Sequence, residues 1–195
     1  MKQLATVALM INLSVAGVHA QERPVRMKFS GTNVATTINL QPNTVTDEQH
    51  SSGTGTFGGF TFRELHADGA ATQPPTGCFS PRYFAVVAGA GVFTFQDGSL
   101  LIVTIKDGSG CIDLAAGHAL LTVNYQITGG TGRFDGASGE LTYAATMTAV
   151  LRNASNAPAL LTLTGEIEGT ISEQPGEKNK DRREGKEDKR AAGCA

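Results

Sequence analysis

Two-residue periodicity dominates the second half of this chain. Ala119, Leu121, Val123, Tyr125 and Ile127 alternate with Leu120, Thr122, Asn124, Gln126 and Thr128. Leu141, Tyr143, Ala145, Met147, Ala149 and Leu151 alternate with positions that are mostly Thr, and Leu161, Leu163, Gly165, Ile167, Gly169 and Ile171 with Thr162, Thr164, Glu166, Glu168 and Thr170. Successive side chains of a strand point to opposite faces, so each run predicts a long strand with one apolar and one polar face. No stretch of the body sustains an apolar period near 3.6, which makes the expected fold class all-β.

Shorter or noisier strand candidates are Val25 to Gly31, Val34 to Leu40, Gly55 to Leu65, Val92 to Phe95 and Leu100 to Ile105. Asp97-Gly98 between two of them is a strong hairpin signal. Asp107-Gly108-Ser109-Gly110 reads as a further break, and 153–158 (Asn-Ala-Ser-Asn-Ala-Pro) separates the last two long strands. The aromatic face changes parity across Gly58-Gly59, which predicts a bulge or barrel corner there. His66 to Ser80, with Pro74, Pro75 and Cys78, reads as the longest loop. Long one-sided strands at short spacing with abundant glycine predict an antiparallel barrel, closed or nearly so, with a β-sandwich as the alternative.

The two ends read differently from the body. Residues 1–20 have a short basic start, a mostly apolar run from Leu4 to Val18 and the small residues Val18 and Ala20 around His19, a pattern that predicts a secretory signal peptide. Interrupted by Asn12 and Ser14, the run is short for a membrane span, which takes about 20 apolar residues. Residues 173–195 mix both signs of charge, with no Leu, Val, Ile, Phe, Tyr or Met, and predict a solvated, disordered tail. Residues 21–172 are then one domain of ordinary size. Setting aside Lys2 and the tail's 7 basic and 6 acidic residues leaves the body 8 basic and 12 acidic side chains. Without a basic stripe, nucleic acid is not an expected partner. In a secreted or periplasmic setting Cys78 and Cys111 are the natural disulfide pair. That bridge closes a loop of about 34 residues and contributes about 3–4 kcal/mol on a chain-entropy model. Cys194 is left over, as a free thiol, a mixed disulfide or a link to a second chain.

Catalytic signals are weak. The literal GxGxxG at 53–58 lies outside any strand–turn–helix unit, so its glycines are read as relieving crowding in a strand. Glu166 and Glu168 share one strand face, where an acid–base pair competes with plain solvation opposite an apolar face. Glu64, Asp113 and Glu140 are further carboxylates, and the scattered His50, His66 and His118 lack ligand spacing. No metal and no cofactor is expected. The residues that could line an apolar pocket are Phe60, Phe62, Phe93, Phe95, Tyr125 and Tyr143, with simple core packing as the competing role, because small barrels usually fill their interiors.

The stretch 127–140, Ile-Thr-Gly-Gly-Thr-Gly-Arg-Phe-Asp-Gly-Ala-Ser-Gly-Glu, resembles a motif shared by the allene oxide cyclase-like barrels. That superfamily includes plant allene oxide cyclases, dirigent proteins and many secreted bacterial proteins of unassigned role. The resemblance implies about eight antiparallel strands, a mostly apolar cavity and frequent homo-oligomers, with the glycine-rich segment joining barrel strands rather than forming a catalytic centre. The functions it implies are binding of a small apolar ligand or a non-catalytic, dirigent-like or surface role. The alternatives are a cofactor-free isomerase or cyclase and a structural or interaction module.

Overall fold

The computed structural model describes residues 21–113 and 117–173. Eight strands succeed one another: β1 (Gln21–Ala35), β2 (Val45–Gly55), β3 (Gly58–Ala70), β4 (Tyr83–Phe95), β5 (Leu100–Asp113), β6 (His118–Gly130), β7 (Ser138–Arg152) and β8 (Pro158–Glu173). Each pairs antiparallel with its neighbours in sequence, and β1 pairs with β8 to close the barrel. Closure decides against a sandwich. The expected signal peptide at 1–20 and the tail beyond Glu173 lie outside the described residues, as does Cys194.

The alternating runs form β6, β7 and β8 with their apolar residues mostly inside; Leu151, which the β7 alternation places on the apolar face, is exposed where the β7–β8 register shifts. Leu121, Val123, Tyr125, Leu141, Tyr143, Leu163, Ile167 and Ile171 are all buried. Each fully buried large apolar side chain contributes about 1.5–3 kcal/mol relative to exposure. The outer face carries Thr and ion pairs instead. Arg26 Nε lies 3.6 Å from Glu168 Oε1, and Lys28 Nζ lies 3.1 Å from Glu166 Oε1, across the β1–β8 seam. These pairs are exposed and worth at most about 1 kcal/mol each. Among the described residues no helix is long and apolar enough to cross a membrane.

Several sequence expectations are corrected. Residues 25–40 do not hold two strands; β1 runs unbroken to Ala35. The parity change at Gly58 is a hairpin, with Gly55 and Gly58 paired around a two-residue turn. Gly58 takes φ +86°, a left-handed conformation that glycine accepts without a Cβ penalty. The loop after β3 starts at 71, not at His66, because β3 continues to Ala70. The glycines at 108 and 110 are not a break. They lie inside β5, where a Cβ on Gly110 would stand 2.0 Å from the Phe84 ring and one on Gly108 2.9 Å from Val86. The irregularities of β5 are instead register shifts against β6, between Ile102 and Val103 and between Ile105 and Asp107. As expected, Asp97-Gly98 turns β4 into β5, and the 153–157 turn joins β7 to β8. The Cys78–Cys111 disulfide forms, with Cα atoms 5.7 Å apart, and ties the 71–82 loop to β5.

The two ends of the barrel differ. One holds the β2–β3, β4–β5 and β6–β7 connections and is plugged by aromatic rings. Phe134, on a single 3₁₀ turn (Gly132–Phe134), is fully buried, edge-on to Phe57 at 5.1 Å and tilted against Phe95 at 4.8 Å. Arg133 seals the plug by donating to the Phe57 carbonyl at 2.8 Å while its guanidinium lies 4.8 Å from the Phe95 ring centre. The other end is open.

Candidate functional site: an open cavity over a buried polar cluster

At the open end lies a cavity of about 550 Å³. Its apolar wall includes Phe84, Ile112, Met147, Ala149 and Leu161, and its polar wall includes Asn33, Asp47, Asp68, Arg82 and His118. Asp113, which also lines it, stands at the end of β5.

The polar wall comes from a switch in side-chain character along two paired strands. On β3 the inward positions read Phe60, Phe62, Glu64, His66 and then Asp68, aromatic at the plugged end and ionisable toward the mouth. On β2 the inward positions are Asp47, Gln49 and Ser51. The register sets Asp47 opposite His66, Gln49 opposite Glu64 and Ser51 opposite Phe62, so the polar side chains meet as cross-strand pairs on one face.

Two tyrosines reach this cluster from the far wall. Tyr125 Oη donates to Glu64 Oε2 at 2.5 Å, and Tyr143 Oη donates to Gln49 Oε1 at 3.1 Å. Burial first, and then the Glu64 charge, hold both phenols well above their ordinary range, so they remain protonated donors. Glu64 Oε1 lies 3.2 Å from His66 Nδ1, but Nδ1 has no hydrogen bond of proper alignment. The contact is therefore one of charge and proximity. On the other side of the ring, His66 Nε2 lies 3.8 Å from Asp68 Oδ1.

Burial and neighbouring charges together perturb Asp47, His66 and Asp68. For His66, burial disfavours the charged ring, yet the carboxylates of Glu64, Asp68 and Asp47 outweigh it and raise the pKa from 6.5 to about 9. Burial pushes the Asp68 carboxyl up to about 7, against the pull of His66 and with Asp47 and Glu64 adding to it. Burial likewise raises Asp47, opposed by His66 and by the Asn33 amide, whose Nδ2 donates to Asp47 Oδ2 at 3.4 Å. Asn33 Oδ1, Gln49 Nε2, Ser51 Oγ and Asp68 Oδ1 are buried without hydrogen-bond partners. Such orphans are few in native proteins, and here they gather in one cluster.

Of the six aromatic pocket candidates, none lines the cavity. Phe60, Phe62, Phe93 and Phe95 pack together inside the barrel, Phe93 stacked between Phe62, with ring centres 4.1 Å apart, and Phe95, and Phe60 edge-on to Phe93. Tyr125 and Tyr143 hold the polar cluster by their hydroxyls. Glu166 and Glu168 face outward in their ion pairs. Glu140 pairs with Lys106 at 2.6 Å on the surface, and exposed His50 meets Glu48 at 2.7 Å. His66 is not a scattered histidine, since the register brings it to Asp47 and Asp68. Asp47, Gln49 and Asp68 were missed altogether. The one signal was on β3, where ionisable Glu64, His66 and Asp68 alternate with Leu65 and Ala67; 47–52 are polar throughout and show no alternation.

The glycines of the 53–58 motif serve the wall of the barrel. A Cβ on Gly53 or Gly55 would fall 2.0 Å from Lys28 O or 2.2 Å from Arg26 O on β1. No protein-family model matches the chain, and no curated protein matches it.

Proposed function

We propose that this barrel is a receptor for a small, largely apolar molecule that enters through the open end. The observation that carries it is the asymmetry of the barrel: a plugged aromatic end against a cavity of about 550 Å³ at the other, within the size range of small-molecule sites. Apolar surface at Phe84, Ile112, Met147 and Leu161 would take the body of the ligand. Asp47, Asp68 and Asn33 would orient a donor or cationic group, as a few polar groups do in mostly apolar pockets. The disulfide suits a secreted or periplasmic protein. The glycine-rich 127–140 segment, which joins β6 to β7 around the Phe134 plug, supports kinship with the allene oxide cyclase-like barrels, and with it a non-catalytic, dirigent-like role.

The test is titration with N-phenyl-1-naphthylamine, a neutral apolar fluorophore, followed by competition with candidate ligands. Saturable binding that is lost in Ala149→Trp, which fills the cavity, and kept in Thr164→Trp, on the outer face, is the expected result. Binding that Ala149→Trp leaves untouched would refute the cavity as the site.

A second reading, a cofactor-free isomerase or cyclase, is favoured by one observation. Along β3, Asp68 lines the cavity with His66 and Glu64 buried in succession behind it, so one carboxyl group stands where a bound substrate would lie and has titratable partners at its back. Conversion of a bound ligand, abolished in Glu64→Gln with binding intact, would establish it; unchanged ligand after prolonged incubation would exclude it.

A further inference from the structure

We propose that Asp47, His66 and Asp68 form a binding site for a divalent transition-metal ion in the wall of the open cavity. One ligand atom from each of the three lies within 4.8 Å of the other two. Metal–ligand bonds of about 2.0–2.2 Å place neighbouring ligand atoms roughly 3–3.5 Å apart, a closure within reach of the two Asp side-chain torsions. One imidazole and two carboxylates suit Zn²⁺, Mn²⁺, Fe²⁺ or Co²⁺ rather than the all-oxygen cages of Ca²⁺ or Mg²⁺. Asp47 and Asp68 line the cavity with His66 buried behind them, so three protein ligands leave coordination positions on the cavity side open to a bound molecule.

Two observations outside the trio point to the same ion. Glu64 lies on the opposite side of the His66 ring, 3.2 Å from Nδ1, and is itself held by Tyr125. A metal-bound histidine typically donates its second ring N–H to a carboxylate, and Glu64 stands within reach of Nδ1 for a reoriented ring to do so. Asn33 is the other. Only 2% exposed, it contacts Asp47 through its amide and leaves Oδ1 buried without a partner. A half-turn of that amide would exchange the donor for the carbonyl oxygen on the Asp47 side. The proposal goes beyond ligand binding in the cavity and does not depend on it.

The experiment is titration of the full-length protein, freed of metal by chelation and dialysis, with Co²⁺, read by its visible d–d absorption and by competition with Zn²⁺. One equivalent should bind saturably and be displaced by Zn²⁺. Asp47→Asn and Asp68→Asn, which keep side-chain volume, should each weaken binding by at least the ~10- to 100-fold that loss of an outer-shell partner costs, and Glu64→Gln by about that factor. His50→Gln, at the exposed Glu48 pair, should change nothing. Lack of a saturable equivalent in the unaltered protein, or equal affinity in the two Asp variants, overturns the site. Should those variants fail to fold, imidazole ¹⁵N shifts of the unaltered chain decide. Zn²⁺ must move the His66 ring with Nδ1 still protonated, and shifts confined to His50 or His118 refute the assignment. Since no organic ligand enters the titration, its outcome is separate from that of the fluorophore assay.

Discussion

Phe134→Ala tests whether the glycine-rich segment is an architectural plug. The side chain is fully buried and touches two rings at 4.8 and 5.1 Å, and Arg133 lies over it at 5.0 Å. Truncating a buried Phe costs about 3–5 kcal/mol, from lost transfer energy plus the cavity left behind. The two ring pairs account for about 0.5–1.5 kcal/mol each of that loss. Phe134→Leu, which keeps most of the apolar burial but not the ring geometry, should therefore lose only about 1–3 kcal/mol. Phe79→Ala is the control, since Phe79 is 100% exposed; surface substitutions of that kind stay within about 0.5 kcal/mol. Urea denaturation followed by far-UV circular dichroism measures all three. With a slope of about 1–3 kcal/mol/M, the Phe134→Ala midpoint should fall by more than about 1 M at unchanged slope. A loss below about 1 kcal/mol, or a Phe134→Ala curve that overlays the Phe79→Ala curve, would refute the plug.

Other expectations concern the staple, the wall and the polar cluster. Replacing Cys78 and Cys111 together by Ser should cost about 3–4 kcal/mol on the loop-closure model for their separation of 33 residues, and reduction of the unaltered protein should reproduce the loss. Gly165→Ala would put a Cβ 2.1 Å from Ala144 O and 2.7 Å from the Phe29 ring. Backbone cannot yield as a flexible side chain does, so its thermal midpoint should reflect a loss at or above the usual overpacking cost of about 1–3 kcal/mol; a wild-type midpoint would contradict the close approach of β7 and β8. In the metal-free protein, the folded state holds protons at Asp68 and His66 more tightly than the unfolded chain does, so the stability these two groups contribute is greatest at low pH. It should fall as pH rises from about 4 to 7 through Asp68 and from 6.5 to about 9 through His66. The Asp68 contribution alone is about 4 kcal/mol at ~1.4 kcal/mol per tenfold change in proton affinity. Melting curves against pH should therefore slope downward, and Asp68→Asn should flatten the lower part; a stability that rises across this range would refute the burial of Asp68.

Most of the barrel was legible wherever one strand face is apolar and the other is not. β6, β7 and β8 announce themselves by period two, and the Asp97-Gly98 and 153–157 turns by their turn chemistry. β2 was invisible because its inward face carries Asp47, Gln49 and Ser51, which removes the contrast that periodicity depends on. β5 was cut short because Gly108 and Gly110 look like punctuation, while their role is to admit the Val86 and Phe84 side chains of β4. The polar cluster was hidden for a further reason. Asp47 and His66 are 19 positions apart, and only the β2–β3 register makes them neighbours. Even a correct list of strands would not have shown it without the two-residue hairpin at Thr56-Phe57 that sets that register.

The charge arrangement at the seam has a consequence for association between chains. Before closure, β1 and β8 are both unpaired edges, and open edges recruit other strands. β1 brings Arg26 and Lys28 to that edge, while β8 brings Glu166 and Glu168. Two β1 edges meeting would oppose like charges, and so would two β8 edges. Complementarity is restored only when β1 meets β8, and it is restored equally well when the β8 belongs to another molecule. The seam thus discourages random edge-to-edge stacking but leaves strand exchange as the one sticky alternative. Concentrated refolding should therefore yield swapped dimers rather than amorphous aggregate.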